Sequence, residues 1–257
     1  MCNALDSMPP IPVIAGAAVT HEDLVLKAAD GNEFAAFAAR PDDPAAVGIV
    51  VLPDIRGLYR FYEELALRFA ERGYAAVAID YFGRTAGVSK RGDEFPFMEH
   101  VQQTSYAGIQ ADIGSAVEYI RGAGGGGAVA SVFTVGCCFG GSASWLATTA
   151  GHGLAGAIGY HGGLQDRNGE PGPTSRASEM KAPILALQGG ADDHIPAEDN
   201  AAFDAALSAA GVEHEVVIEP GAPHSFFDRR REEFAEQSED AWRRTLEFIE
   251  QHSSVPA

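Results

Sequence analysis

The chain has 257 residues, 46% of them hydrophobic, enough for one large α/β domain with a buried core. Its 18 basic residues against 36 acidic ones give a formal charge of −18, a surface that repels nucleic acid and anionic membranes at long range. No apolar run approaches the roughly 18–20 residues of a membrane span, and residues 1–18 lack the features of a signal peptide, so a cytoplasmic location is expected.

Short apolar runs alternate with amphipathic stretches, the βαβ signature of a mostly parallel sheet with helices on both faces. Asp23–Ala28 and Glu33–Ala39 read as strands joined by a hairpin at Asp30-Gly31-Asn32. Val47–Leu52 is apolar throughout and suits a central strand covered on both faces. Phe61–Arg72 has helical spacing and stops at Gly73, and Tyr74–Ile79 is the next strand. Val101–Arg121 reads as one long helix, followed by a glycine-rich connection at Gly122–Gly127. That connection follows a helix and has no Lys-Ser/Thr after it, so it is not a phosphate loop. Val132–Val135, Leu154–Tyr160, Ile184–Leu187 and Glu215–Ile218 read as further strands. Gly140–Ala150, Ala197–Ala210 and Glu232–Gln251 read as helices. The expectation is a single domain over residues 1–257, built on about seven or eight strands.

The most informative segment is Gly136-Cys137-Cys138-Phe139-Gly140-Gly141. An apolar strand runs into small-x-nucleophile-x-small and then a helix, the nucleophile-elbow pattern with Cys in place of the usual Ser. The turn forces strained backbone angles on the nucleophile, and side chains two positions to either side would collide with the strand and helix. It also puts the sulfur at a helix N-terminus, where the dipole favours thiolate. Register selects Cys138 and leaves Cys137 as a small core hydrophobe. Three cysteines are too few for a secreted disulfide framework, and no Cys/His cluster has zinc spacing, so no metal or other cofactor is expected.

A thiol nucleophile needs a base and an orienting acid, which in this fold follow in the order nucleophile, acid, histidine. Asp192 and Asp193 both lie just beyond strand Ile184–Leu187, where an α/β sheet builds its site, and either could be the acid. His224 follows the last strand and is the expected base. His194 sits on the acid loop and suits a supporting role. His161, after strand Leu154–Tyr160, is expected to pack near the pocket or touch substrate.

These residues resemble the dienelactone hydrolase (carboxymethylenebutenolidase) family of α/β-hydrolases, from about Leu24 to Phe248. The similarity rests on the Cys138 elbow, the Gly189-Gly190-Ala191-Asp192…Pro196 loop, and Gly221…His224-Ser225-Phe226. It implies an α/β-hydrolase fold, a triad of Cys138, Asp192 and His224, and an oxyanion hole from the backbone N–H groups of Ile55 and Phe139. It also places Asp54 where the family has an acid, usually Glu, that interacts with the resting cysteine; Asp is one methylene shorter. Arg84, with Tyr81 nearby, matches a family arginine that binds a substrate carboxylate. The family's second carboxylate-binding arginine would fall at Asp228, with Arg229 one step later.

The expected activity is hydrolysis of an activated ester or enol lactone, with a small and possibly carboxylated molecule as the substrate partner. A general carboxylesterase or thioesterase of different substrate range, and a ligand-binding protein without catalysis, are the alternatives.

Overall fold

The computed structural model describes residues 5–92 and 94–254, in a mostly parallel α/β-hydrolase fold. In chain order the elements are β1 (Val19–Lys27), β2 (Glu33–Pro41), β3 (Val47–Leu52), α1 (Arg60–Ala70), β4 (Ala75–Ile79), α2 (Gly83–Ala86), α3 (Phe97–Val101) and α4 (Tyr106–Arg121). They continue with β5 (Ser131–Cys137), α5 (Phe139–Ala147), β6 (Gly156–Tyr160), β7 (Ile184–Gly189), α6 (Ala197–Ala210), β8 (His214–Glu219) and α7 (Ala235–His252). The eight strands form one sheet in the order β1-β2-β4-β3-β5-β6-β7-β8. β1 pairs antiparallel with β2, and β2 with β4; every later pairing is parallel.

The apolar run of β3 is buried at every position, as its lack of alternation predicts. Its odd and even residues feed opposite layers. Ile49 and Val51 pack with Phe61, Leu65 and Phe69 of α1 and with Phe248 and Ile249 of α7. Val50 and Leu52 pack with Ile113, Val117 and Ile120 of α4 and with Ala143 and Ala147 of α5. Helices thus cover both faces, which removes the apolar surface of the central strands from water.

One expected element is divided. Of the helix read over Val101–Arg121, only Tyr106–Arg121 is helical as α4, while Val101 ends the separate α3 and residues 102–105 lie between. The break has a local cause. The hydroxyl of Thr104 bonds back to the Val101 carbonyl at 2.7 Å, and Ser105 caps α4 by accepting the Gly108 N–H at 3.1 Å. Hydroxyl side chains that satisfy backbone groups in this way compete with the helix and favour its ends.

The parallel register aligns the carboxyl ends of the strands. Leu52 lies opposite Gly136, Gly136 opposite Gly159, and Tyr160 opposite Leu187. The segments beginning at Pro53, Cys138, His161, Gly190 and Pro220 therefore leave the sheet along one rim, and that rim carries the site.

Candidate active site

Cys138 stands between β5 and α5 with φ 54° and ψ −114°, a left-handed turn rarely adopted by a residue with a side chain. The strain is held from both sides. The Cys138 N–H donates to the Tyr160 carbonyl at 2.9 Å, while its own carbonyl accepts the Gly141 N–H at 3.0 Å. A Cβ on Gly136 would meet the Gly140 carbonyl oxygen at 1.9 Å, and one on Gly140 would meet the Leu52 carbonyl oxygen at 2.0 Å. Both flanking glycines are therefore required by close backbone approach. Cys138 is partly exposed, whereas Cys137 is buried in the core as expected.

His224 presents Nδ1 to Oδ2 of Asp192 at 2.7 Å. The Asp192 side chain is fully buried, and its other oxygen accepts the His194 backbone N–H at 2.8 Å. Asp193, left open by the residue reading, is exposed. The His194 ring stands edge-on to His224 at 5.2 Å, and the His161 ring packs against His224 at 4.6 Å. His161 is buried, holds φ 38°, and has both ring nitrogens without a hydrogen-bond partner. Burial, with the nearby His224 charge added, holds its pKa well below the ordinary histidine value.

The loop after β3 is organised by carboxylates. Asp54 is buried and accepts from the Arg56 backbone N–H at 2.8 Å and from the Tyr59 hydroxyl at 3.0 Å, while its own N–H donates to the Tyr62 hydroxyl. Asp80 accepts the Leu58 and Phe82 backbone N–H groups and pairs with Arg91 at 2.8 Å in a buried ion pair. Tyr81 is buried, donates its hydroxyl to the Pro53 carbonyl at 3.0 Å and stands edge-on to Phe139. Tyr81 is thus a brace for the loop holding Ile55. The tyrosines at 59 and 62, which sequence reading passed over, brace the same loop from α1.

A cavity of about 380 Å³ lies over this rim, lined by Cys138, His224, His194, Ile55 and Phe139 among others. Phe139 opens α5, so its N–H has no acceptor within the helix. A thiol, a carboxylate-bound imidazole and such a donor around one cavity can perform acyl transfer. Arg84 does not line it. Its guanidinium pairs instead with Asp112 at 2.5 Å and Asp30 at 2.6 Å, so the structure does not bring it to the cavity where a substrate carboxylate was expected. Arg229 is exposed, away from the cavity lining, with its backbone N–H on the Met8 carbonyl. Tyr81 and His161 also lie behind the wall instead of in it. Among the described residues the single Arg or Lys in the lining is Arg167, which the sequence did not single out.

The family model described as "Dienelactone hydrolase family" matches residues 34–253. The chain belongs to the dienelactone hydrolase family. Family membership makes it a dienelactone hydrolase-like hydrolase of the α/β class. A protein of Escherichia coli K12 named "Putative carboxymethylenebutenolidase" is 30% identical over 230 residues, covering 86% of this chain and 84% of that protein. A protein of the same name from Yersinia pestis is 28% identical, covering 88% and 87%. Among solved structures, the "Putative Dienelactone Hydrolase" of Klebsiella pneumoniae superposes with a TM-score of 0.78 at 26% identity, covering 91% of this chain and 99% of that one. The dienelactone hydrolase-like promiscuous phosphotriesterase P91, from metagenomic libraries, shares the fold with a TM-score of 0.77 at 20% identity and coverages of 91% and 99%. Of membrane spans the structure says only that, among the described residues, no helix is long and apolar enough to cross a bilayer.

Proposed function

We propose that this family member hydrolyses activated esters or enol lactones of small molecules, with Cys138 as nucleophile, His224 as base and Asp192 as the group that orients the base. The observation that carries the reading is the 2.7 Å bond from His224 Nδ1 to the buried Asp192 carboxylate, made at the wall of the cavity that the elbow thiol also lines.

That bond fixes the imidazole tautomer and leaves Nε2 to take the thiol proton. Sulfur adds to the substrate carbonyl, and the electron pair of the C=O bond moves onto oxygen. Backbone N–H groups of Ile55 and Phe139 receive that oxyanion. As the carbonyl re-forms, the C–O bond to the leaving group breaks, with the His224 proton going to the departing oxygen where it needs one. The product of this half-reaction is a thioester on Cys138. Water, deprotonated by His224, then adds to the thioester and expels the thiol.

Leaving-group chemistry supports the substrate class. Once the tetrahedral adduct forms, thiolate is itself easily expelled, so a poor leaving group such as an amine returns to substrate. A phenolate or an enolate departs before the sulfur does. The test is hydrolysis of p-nitrophenyl acetate and of dienelactone by the protein and by C138A. Turnover that vanishes in C138A supports the reading, and turnover that survives it overturns the assignment of the nucleophile.

A further inference from the structure

The cavity extends well past the nucleophile, between α4 and α5. Tyr106, Ile109 and Gln110 line it from α4, at positions three and four residues apart and so on one face of the helix. Ala143 and Leu146 line it from α5. Leu146 lies near the far end of that helix, roughly 10 Å along the axis from the elbow at its start.

The hydroxyl groups along these walls are occupied. Tyr106 shares a 2.7 Å bond with the Thr149 hydroxyl, Thr104 donates to the Val101 carbonyl at 2.7 Å, and Ser142 donates to the Gly163 carbonyl at 2.6 Å. Gln110 is different. It is only 6% exposed, and its Oε1 lies 3.2 Å from Nε2 of His152. Burial, then the charge of Arg121, lowers the His152 pKa, so near neutrality the ring is uncharged and donates from Nε2 to the glutamine oxygen. That bond takes the carbonyl and fixes the plane of the amide.

The amide nitrogen is left over. Among the described residues Nε2 of Gln110 has no hydrogen-bond partner, and the side chain borders the cavity. A donor held unbonded beside Ile109, Ala143 and Leu146 gains more from an acceptor than a donor in water does. Because an amide carries no charge, it offsets little of the desolvation of an anion, and an uncharged oxygen is its matching partner.

We propose that Gln110 is a specificity-determining residue of this site: its side-chain amide donates to a neutral carbonyl oxygen carried on the apolar acyl part of the substrate, remote from the scissile bond. This rests on the ester-hydrolase reading for its reaction but not for its binding.

Two measurements keep those readings apart. In the first, kcat/KM is determined for the p-nitrophenyl esters of 4-oxopentanoate, 6-oxoheptanoate and 8-oxononanoate, each paired with the alkanoate of the same length. Q110E keeps an oxygen for His152 and removes the N–H donors. At the chain length that reaches Gln110, it should lower the ratio of oxo ester to alkyl ester by about 3–10-fold, the range of one net hydrogen bond, and Q110M should do the same. The alkyl esters should stay within about 3-fold, since no contact with them is removed. A ratio unchanged at every length overturns the proposal; equal losses on both esters of each pair assign Gln110 to supporting His152. In the second, the infrared carbonyl band of 4-phenyl-2-butanone bound to the native chain and to Q110M is compared with the band in hexane. A shift to lower frequency in the native chain that Q110M removes supports the donor site even where no ester is hydrolysed, an outcome that sinks the ester-hydrolase reading alone. A band unshifted in the native chain, a shift that persists in Q110M, or no binding of the ketone overturns the proposal.

Discussion

His224 Nδ1 lies 2.7 Å from Oδ2 of Asp192, whose second oxygen takes the His194 backbone N–H at 2.8 Å. A buried carboxylate with both oxygens engaged has little freedom to turn, so the imidazole it holds is fixed in ring orientation and tautomer. Asp193 beside it is exposed. The difference between these neighbours is burial, and burial makes the bond to histidine worth more.

The first expectation follows from that bond. D192N keeps the shape but presents an amide to Nδ1, which favours the wrong tautomer or a rotated ring. Ester turnover should fall by about 10²–10⁴-fold, the range of a general base that loses its orientation. D193N should stay within about 2-fold, because an exposed carboxylate is solvated in either state. Steady-state kinetics on p-nitrophenyl acetate checks both, and equal effects would contradict the assignment.

Arg84 is expected to matter for stability and not for turnover. Its guanidinium bridges Asp30 and the fully buried Asp112 side chain. In R84M the Asp112 carboxylate loses its counter-charge, while burial already pushes its pKa up. The cost should be about 2–4 kcal/mol, between the values for exposed and buried pairs. Urea unfolding reads this, and kcat/KM should remain within about 3-fold, since no reacting group is touched.

Gly140 is the position where backbone approach is least forgiving. A Cβ there would lie 2.0 Å from the Leu52 carbonyl oxygen and 2.4 Å from that of Pro53. G140A should cost roughly 3 kcal/mol or more, because rigid backbone at the end of β3 or in α5 has to move. A Cβ on Gly151 meets nothing within 4 Å, though its φ is 76°. G151A should therefore cost only about 1 kcal/mol, the strain of a left-handed alanine. Thermal melts of the two variants separate close approach from backbone angle.

Two buried groups should tilt stability in opposite directions on the acid side of neutrality. Burial and the neighbouring His224 hold His161 well below its ordinary pKa. Below about pH 6.5, the usual histidine value, the unfolded chain binds a proton there that the folded chain refuses, so stability falls with falling pH. H161F should flatten that acid limb. Glu219 behaves in the opposite sense: burial, then the charge of Asp240, pushes its pKa up to about 7. Its contribution is fully present below the unfolded glutamate value and is lost as pH rises through 7. E219Q should remove this loss between about pH 4.5 and 7, so that the rise of stability with pH due to His161 stands alone there. Melting temperatures from pH 5 to pH 9 test both signs.

Much of this architecture was legible in the chain. The unbroken apolar run of β3 and the glycines around Cys138 are local signals, because a buried strand and a strained elbow each restrict residue types within a few positions. The order of Asp192 and His224 along the chain was legible for the same reason: each closely follows a strand end. What stayed hidden depends on partners far apart in sequence. Arg84 meets Asp112 and Asp30, 28 and 54 residues away, and nothing near Arg84 announces that its charge is taken. Arg167 lies on a loop with no periodic pattern, and its place over the Phe139 ring depends on a residue 28 positions away. The helix break at residues 102–105 was marked by Thr104 and Ser105, but hydroxyl residues also occur inside helices, and here capping decided the outcome.

The central claim is that sulfur of Cys138 carries the acyl group. Acid-quenching the protein during turnover of p-nitrophenyl acetate, followed by peptide mass spectrometry, tests it directly. The account predicts one acetyl group on the peptide containing Cys138, labile to hydroxylamine, and its accumulation in H224N, where water is no longer activated. An acetyl group on Ser142 or another side chain, with Cys138 unmodified throughout turnover, would contradict it.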